Sequence, residues 1–144
     1  MADLINYLLP AGVAWALAHL IKFSLDQRKT KKFSLKVWYS TGNMPSAHTA
    51  TAVALAVGFG VRLGVDAPLF AFSLMFAIVT AYDSMMARRA TGEQGLALKK
   101  LLAKSPFAKD PPPHHALGHR PLEVLAGAGL GLISGWLVAS FITF

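Results

Sequence analysis

Two histidines and one glutamate carry the chemistry that the sequence offers. His119 and Glu123 lie four residues apart in LGHRPLEVLAGAGLG (Leu117–Gly131), and Gly127, Gly131 and Gly135 continue the same spacing. On a helix this spacing places all five on one face. A carboxylate one turn from a histidine holds the ring and stabilises its cationic form, which suits a nucleophile or a base. The glycines clear the face below for the close approach of another helix. Pro121 lies where a helix start tolerates proline. A second motif, MPSAHT (Met44–Thr49), brings Ser46 and His48 to the start of an apolar segment. A helix beginning there presents unpaired N–H groups and the positive end of its dipole, a cradle for phosphate.

The elements that must position these residues are membrane helices. The chain has 144 residues, 54% of them hydrophobic and only 15% charged, and its mean hydropathy is +0.47. That composition fits a single integral membrane domain over residues 1–144 and not a soluble globular chain. There is no cysteine, which excludes disulfides, thiolate ligands and a cysteine nucleophile. The formal charge of +7 sits in two basic blocks between apolar segments. Anionic headgroups or a phosphorylated substrate are therefore the expected partners, and no nucleic-acid-binding motif is present.

The expected fold is all-α, an integral membrane bundle of about four transmembrane helices with a short amphipathic interfacial helix. The spans are about 4–25, 46–62, 68–87 and 122–144. Polar loops 26–45 and 88–121 lie on the same side of the membrane. Leu4–Leu25 has no basic stretch before it and reads as a retained helix, bent or loosened at Pro10. Trp38 and Tyr39 fit an aromatic belt. The stretch GEQGLALKKLLAKS fits a helix lying on the membrane, with Lys99, Lys100 and Lys104 as headgroup contacts. Of the 14 Lys and Arg, all but Arg62 fall on the loop side. The positive-inside rule makes that side cytoplasmic, and the compact chain reads as a bacterial inner-membrane protein.

On this side the sequence gathers His48, His119 with Glu123, Ser46, Arg88, Arg89 and the candidate phosphate contacts Lys22 and Lys36. Asp83 lies in an apolar run shortly before the arginines and is read as a structural partner of Arg88. No acidic cluster for Mg²⁺ accompanies them. The pattern suits phosphoryl transfer with neither metal nor other cofactor. Cations neutralise the phosphate oxygens. One histidine attacks phosphorus and the other protonates the leaving alcohol.

PSAH (Pro45–His48) and GHRPLEVLAGAGLG (Gly118–Gly131) resemble two signature motifs of the type-two phosphatidic acid phosphatase and vanadium haloperoxidase superfamily. More closely, STGNMPSAHTA, AYDSMMARRATGEQ and LGHRPLEVLAG together resemble its divergent membrane branch, the acid phosphatase/vanadium-dependent haloperoxidase-related proteins. The likeness runs from about Lys22 to Gly135. It implies that His119 forms a phosphohistidine and that Glu123 stands where the family has an orienting aspartate. By the same resemblance His48 is the general acid, Ser46 binds phosphate, and Arg88 or Arg89 serves as the family's arginine. The chain departs from the pattern in several places. About thirty residues separate Arg89 from His119, where the superfamily has only a few. The first motif, a lysine followed later by Arg-Pro, is absent, with Lys22 and Lys36 as stand-ins. Typical membrane members have six spans, so a second copy docking on the glycine face of the last helix is a candidate way to complete the core.

The function expected is hydrolysis of a lipid phosphate or pyrophosphate. The alternative is a non-catalytic membrane protein that binds anionic headgroups or acts as a scaffold. A metal site from His115, His119 and Glu123 is a third reading, opposed by Pro113 and Pro121, which interrupt the helix it needs. Haloperoxidase activity would use the same pocket.

Overall fold

The computed structural model describes residues 2–30, 44–105 and 118–142. These form five α-helices: α1 (Ala2–Thr30), α2 (Ala47–Leu63), α3 (Pro68–Met85), α4 (Ala87–Leu102) and α5 (Pro121–Phe141), with no strand among the described residues. Among the described residues, three stretches are long and apolar enough to cross a membrane: Leu4–Arg28, Pro68–Leu102 and Pro121–Phe141. The shorter apolar α2, with 17 residues, packs against α1, α3 and α5 and forms the centre of the bundle. The protein is an all-α membrane bundle. Lys36, Trp38, Tyr39, Pro113 and His115 lie outside the described residues.

The packing follows from side-chain size. The core is built from Ala14 and Ala18 of α1 against Ala47, Ala50 and Ala54 of α2. Large residues such as Phe72, Met75, Phe76 and Val79 point outward from α3. In water such a surface would be a liability. In lipid it is the expected arrangement, because small residues let helices approach while large ones face acyl chains. The same logic fixes α5. A Cβ on Gly127 would collide with the Ser46 carbonyl oxygen, one on Gly131 with the Ala50 carbonyl oxygen, and one on Gly135 would lie 2.8 Å from Ala54 Cα. The glycine face, expected as a contact for a second copy, is thus covered by α2 of the same chain.

Local chemistry sets the ends. Ser46 caps α2: its hydroxyl accepts from the Thr49 N–H and lies 3.0 Å from the Thr49 hydroxyl. At the far end Arg62 Nη2 donates to the Ile142 carbonyl at 2.6 Å, joining the last turn of α2 to the end of α5. α1 runs through Pro10 as one helix. α4 starts at Ala87, earlier than the stretch read as interfacial, and carries both Arg88 and Arg89. ARRA contains no helix breaker, so the helix begins directly after the Met86 junction.

Candidate active site

His119 precedes α5 and is not part of it. Pro121 restricts the residue before it to extended backbone, and Arg120 accordingly has φ −76° and ψ 151° and forms the N-cap. His119 therefore stands one residue before the N-cap, and Glu123 sits at the third position of the helix. The Glu123 side chain folds back over the helix end. Its Oε2 lies 2.8 Å from His119 Nδ1 and accepts the Arg120 N–H at 3.3 Å. The four-residue spacing brings the pair together, but through a capping geometry and not along one helical face.

His119 is only 4% exposed, and its own N–H donates to the Ser84 carbonyl at 3.0 Å. A carboxylate beside Nδ1 favours the tautomer that carries its proton there, which leaves the Nε2 lone pair for chemistry. Gly118 makes this seat possible. A Cβ there would lie 2.5 Å from Arg89 N and 2.9 Å from both Arg89 Cα and the Ser84 carbonyl oxygen. Gly118 and Ser84 were not apparent as site residues from the sequence. The only signals were a glycine directly before a histidine and a small polar residue in an apolar run.

The remaining candidates surround this pair. The Ser46 N–H donates to the Glu123 carbonyl at 2.9 Å, which joins the start of α2 to the first turn of α5. Ser46 itself is fully buried and its hydroxyl is engaged in the cap. The structure thus gives it a positioning task where a phosphate contact was expected. His48, two residues on, is exposed and lies in the field of Arg88, His119, Lys22 and His19. Lys22 continues the buried Ala14–Ala18 stripe of α1 by another four residues. It is 5% exposed and is attracted by Glu123.

The two arginines diverge. Arg88 Nε pairs with Asp83 Oδ2 at 3.2 Å, and Arg89 Nε pairs with Glu93 Oε1 at 3.1 Å. Arg89 and Glu93 form one wall of a cleft of about 580 Å³, with Gly118, His119, Arg120, Pro121 and Leu122 lining the rest. A neighbouring groove of about 480 Å³ shares Arg89, Glu93 and Pro121 and is otherwise lined by Tyr82, Met85, Met86 and Ala90. A cleft that carries the charged residues Arg89, Glu93 and Arg120 beside His119 therefore adjoins a more apolar groove. Ser46, His48, Lys22 and Arg88 do not line the cleft. Among the described residues no group of three His, Asp or Glu is placed to hold a metal ion.

The comparisons with known proteins place the chain in a family. A membrane protein of Bacillus subtilis (strain 168), the uncharacterized YuiD, is 34% identical to the chain over 148 residues, covering 93% of this chain and 94% of its own length. No solved structure matches the chain. The family model described as the divergent PAP2 family matches residues 5–134, which include every described residue of the site. The chain belongs to the divergent PAP2 family.

Proposed function

We propose that this protein is a membrane phosphatase that hydrolyses a phosphorylated lipid through a phosphohistidine intermediate, without a metal. The observation that carries the reading is the buried His119–Glu123 pair at a cleft lined in part by Arg89, Glu93 and Arg120, which adjoins a more apolar groove. A substrate of one phosphate head and an apolar tail matches both parts. His119 Nε2 attacks phosphorus. The N–P bond forms, the P–O ester bond breaks, and the leaving alkoxide takes a proton from His48. Water then attacks the phosphohistidine and gives its proton to His48. The N–P bond breaks and inorganic phosphate leaves. Glu123 stabilises the imidazolium character that His119 acquires while bonded to phosphorus. Arg89, with Arg88 and Lys22 nearby, neutralises the phosphate oxygens. Lys36 is a further candidate for that task.

The arginine ion pairs do not block this role. The partners in both are exposed, by about half for Arg88–Asp83 and 60% or more for Arg89–Glu93, and such pairs contribute about 1 kcal/mol or less. A dianionic phosphate can displace the carboxylates. The same pairs favour a second reading, in which anionic headgroups are bound without turnover. The distribution of Lys and Arg supports a cytoplasmic site in a bacterial inner membrane.

The test is phosphate release by detergent-purified protein from a panel of phosphorylated lipids, without added metal, with His119→Ala alongside. Release that is blocked by vanadate and absent in the variant supports the phosphatase. Headgroup binding by a folded protein that releases no phosphate from any lipid supports the second reading.

A further inference from the structure

The two halves of α4 have different surroundings. Its first turns carry Arg89 and Glu93, the wall of the cleft. Its second half packs on no described helix, since α4 contacts only α3 among them. Leu98 is 46% exposed and Leu101 is 69% exposed. With Leu102 they fall at i, i+3 and i+4, which makes one apolar stripe. Lys100 lies on the opposite side and Lys99 at the boundary. Lys104 follows in the turn that closes the helix, where its N–H donates to the Leu101 carbonyl. No acidic residue occurs between Gln94 and Ser105.

Position along the chain decides what this surface meets. The 18 residues of α3 extend about 27 Å, close to the roughly 30 Å thickness of the hydrocarbon core. The Met86 junction therefore reaches headgroup level as α4 begins. A helix continuing into water would leave the leucine stripe wet. A helix following the surface buries the stripe and sets the lysines among headgroups.

We propose that α4 docks on the anionic headgroup surface of its own bilayer. Leu98, Leu101 and Leu102 enter the acyl boundary, and Lys99, Lys100 and Lys104 meet anionic glycerophospholipids. Charge complementarity and continuity with a membrane-spanning helix identify the occupant as the host leaflet. Because Arg89 and Glu93 belong to the same helix, this docking also holds the cleft wall. The inference does not depend on turnover.

The chain has no cysteine, so single spin labels can be placed on the full-length protein. Leu98→Cys, Leu101→Cys and Lys100→Cys, each labelled, are reconstituted in phosphatidylcholine vesicles with or without one third phosphatidylglycerol. Accessibility to oxygen and to a water-soluble nickel chelate is read at each site. In the anionic vesicles, labels at 98 and 101 should meet oxygen and exclude nickel, and the label at 100 should do the reverse. In neutral vesicles, nickel accessibility at 98 and 101 should rise roughly tenfold as the lysines lose their partners. Triple replacement of Lys99, Lys100 and Lys104 by Glu should give the neutral pattern even in anionic vesicles. Nickel access at 98 and 101 in both lipids would mean that α4 projects into water. Exclusion of both reagents would mean that protein covers the stripe. Immersion that is equal in both lipids would remove the role of charge. Each of these three results overturns the proposal.

Discussion

The Nδ1 of His119 and the Oε2 of Glu123 stand 2.8 Å apart across the N-cap of α5, and one carboxylate oxygen serves both the ring and the helix end. The ring orientation of His119 and the start of the last helix thus share a single side chain. Glu123→Gln should lower phosphate release by about 10²-fold or more, because a neutral amide no longer stabilises the imidazolium. It should also lower stability by about 1 kcal/mol through the weakened cap. Glu123→Asp should recover part of the activity. Rates and thermal unfolding measured on both variants separate the two effects.

Gly118→Ala tests the seat of the histidine. The added methyl would meet backbone atoms of Arg89 and Ser84, which cannot swing away as a flexible side chain can. His119 should shift from its Ser84 and Glu123 partners. A displacement on the order of 1 Å corresponds to roughly a 10²-fold loss in rate. The expected result is a fall in kcat with vanadate binding largely kept. Unchanged kcat would mean that the junction between α3 and α4 does not position His119.

Gly131→Ala probes the α2–α5 contact. Its new methyl would collide with the Ala50 carbonyl oxygen. Overpacking of this kind lowers stability by about 1–3 kcal/mol, seen as a lower Tm in detergent. Gly129→Ala is the control, since a Cβ there has open space, and its Tm should not fall.

Arg88 and Arg89 should separate in kinetics. Arg89 lines the cleft and Arg88 does not. Arg89→Ala should therefore raise KM and weaken vanadate inhibition by roughly tenfold or more, as expected for loss of a charge-assisted hydrogen bond. Arg88→Ala should do so less. Measured inhibition constants for both variants decide the assignment.

How much of this was legible in the sequence differs from residue to residue. The helical bundle was legible because its helices are nearly all apolar, and length alone marks a span. The His119–Glu123 pair was legible from spacing, but its geometry was not: a proline two residues after the histidine starts the helix later than the pattern suggests. The glycine stripe announced close packing without naming its partner, because Gly127, Gly131 and Gly135 fit a second copy as well as α2. The task of Ser46 stayed hidden for a similar reason. A serine before a helix caps it or binds an anion with the same oxygen, and only the Thr49 and Glu123 contacts separate the two. Gly118 and Ser84 act through backbone atoms, which carry no residue-type signature.

In the proposed reaction His119 takes the phosphoryl group. Brief reaction with a radiolabelled phospholipid, followed by alkaline denaturation and mass spectrometry, should trap it there. The expected product is an acid-labile, base-stable phosphate on His119, absent in His119→Ala and accumulating when His48→Ala slows hydrolysis of the intermediate. Turnover with no phosphate on His119, or with the phosphate on His48, would contradict it.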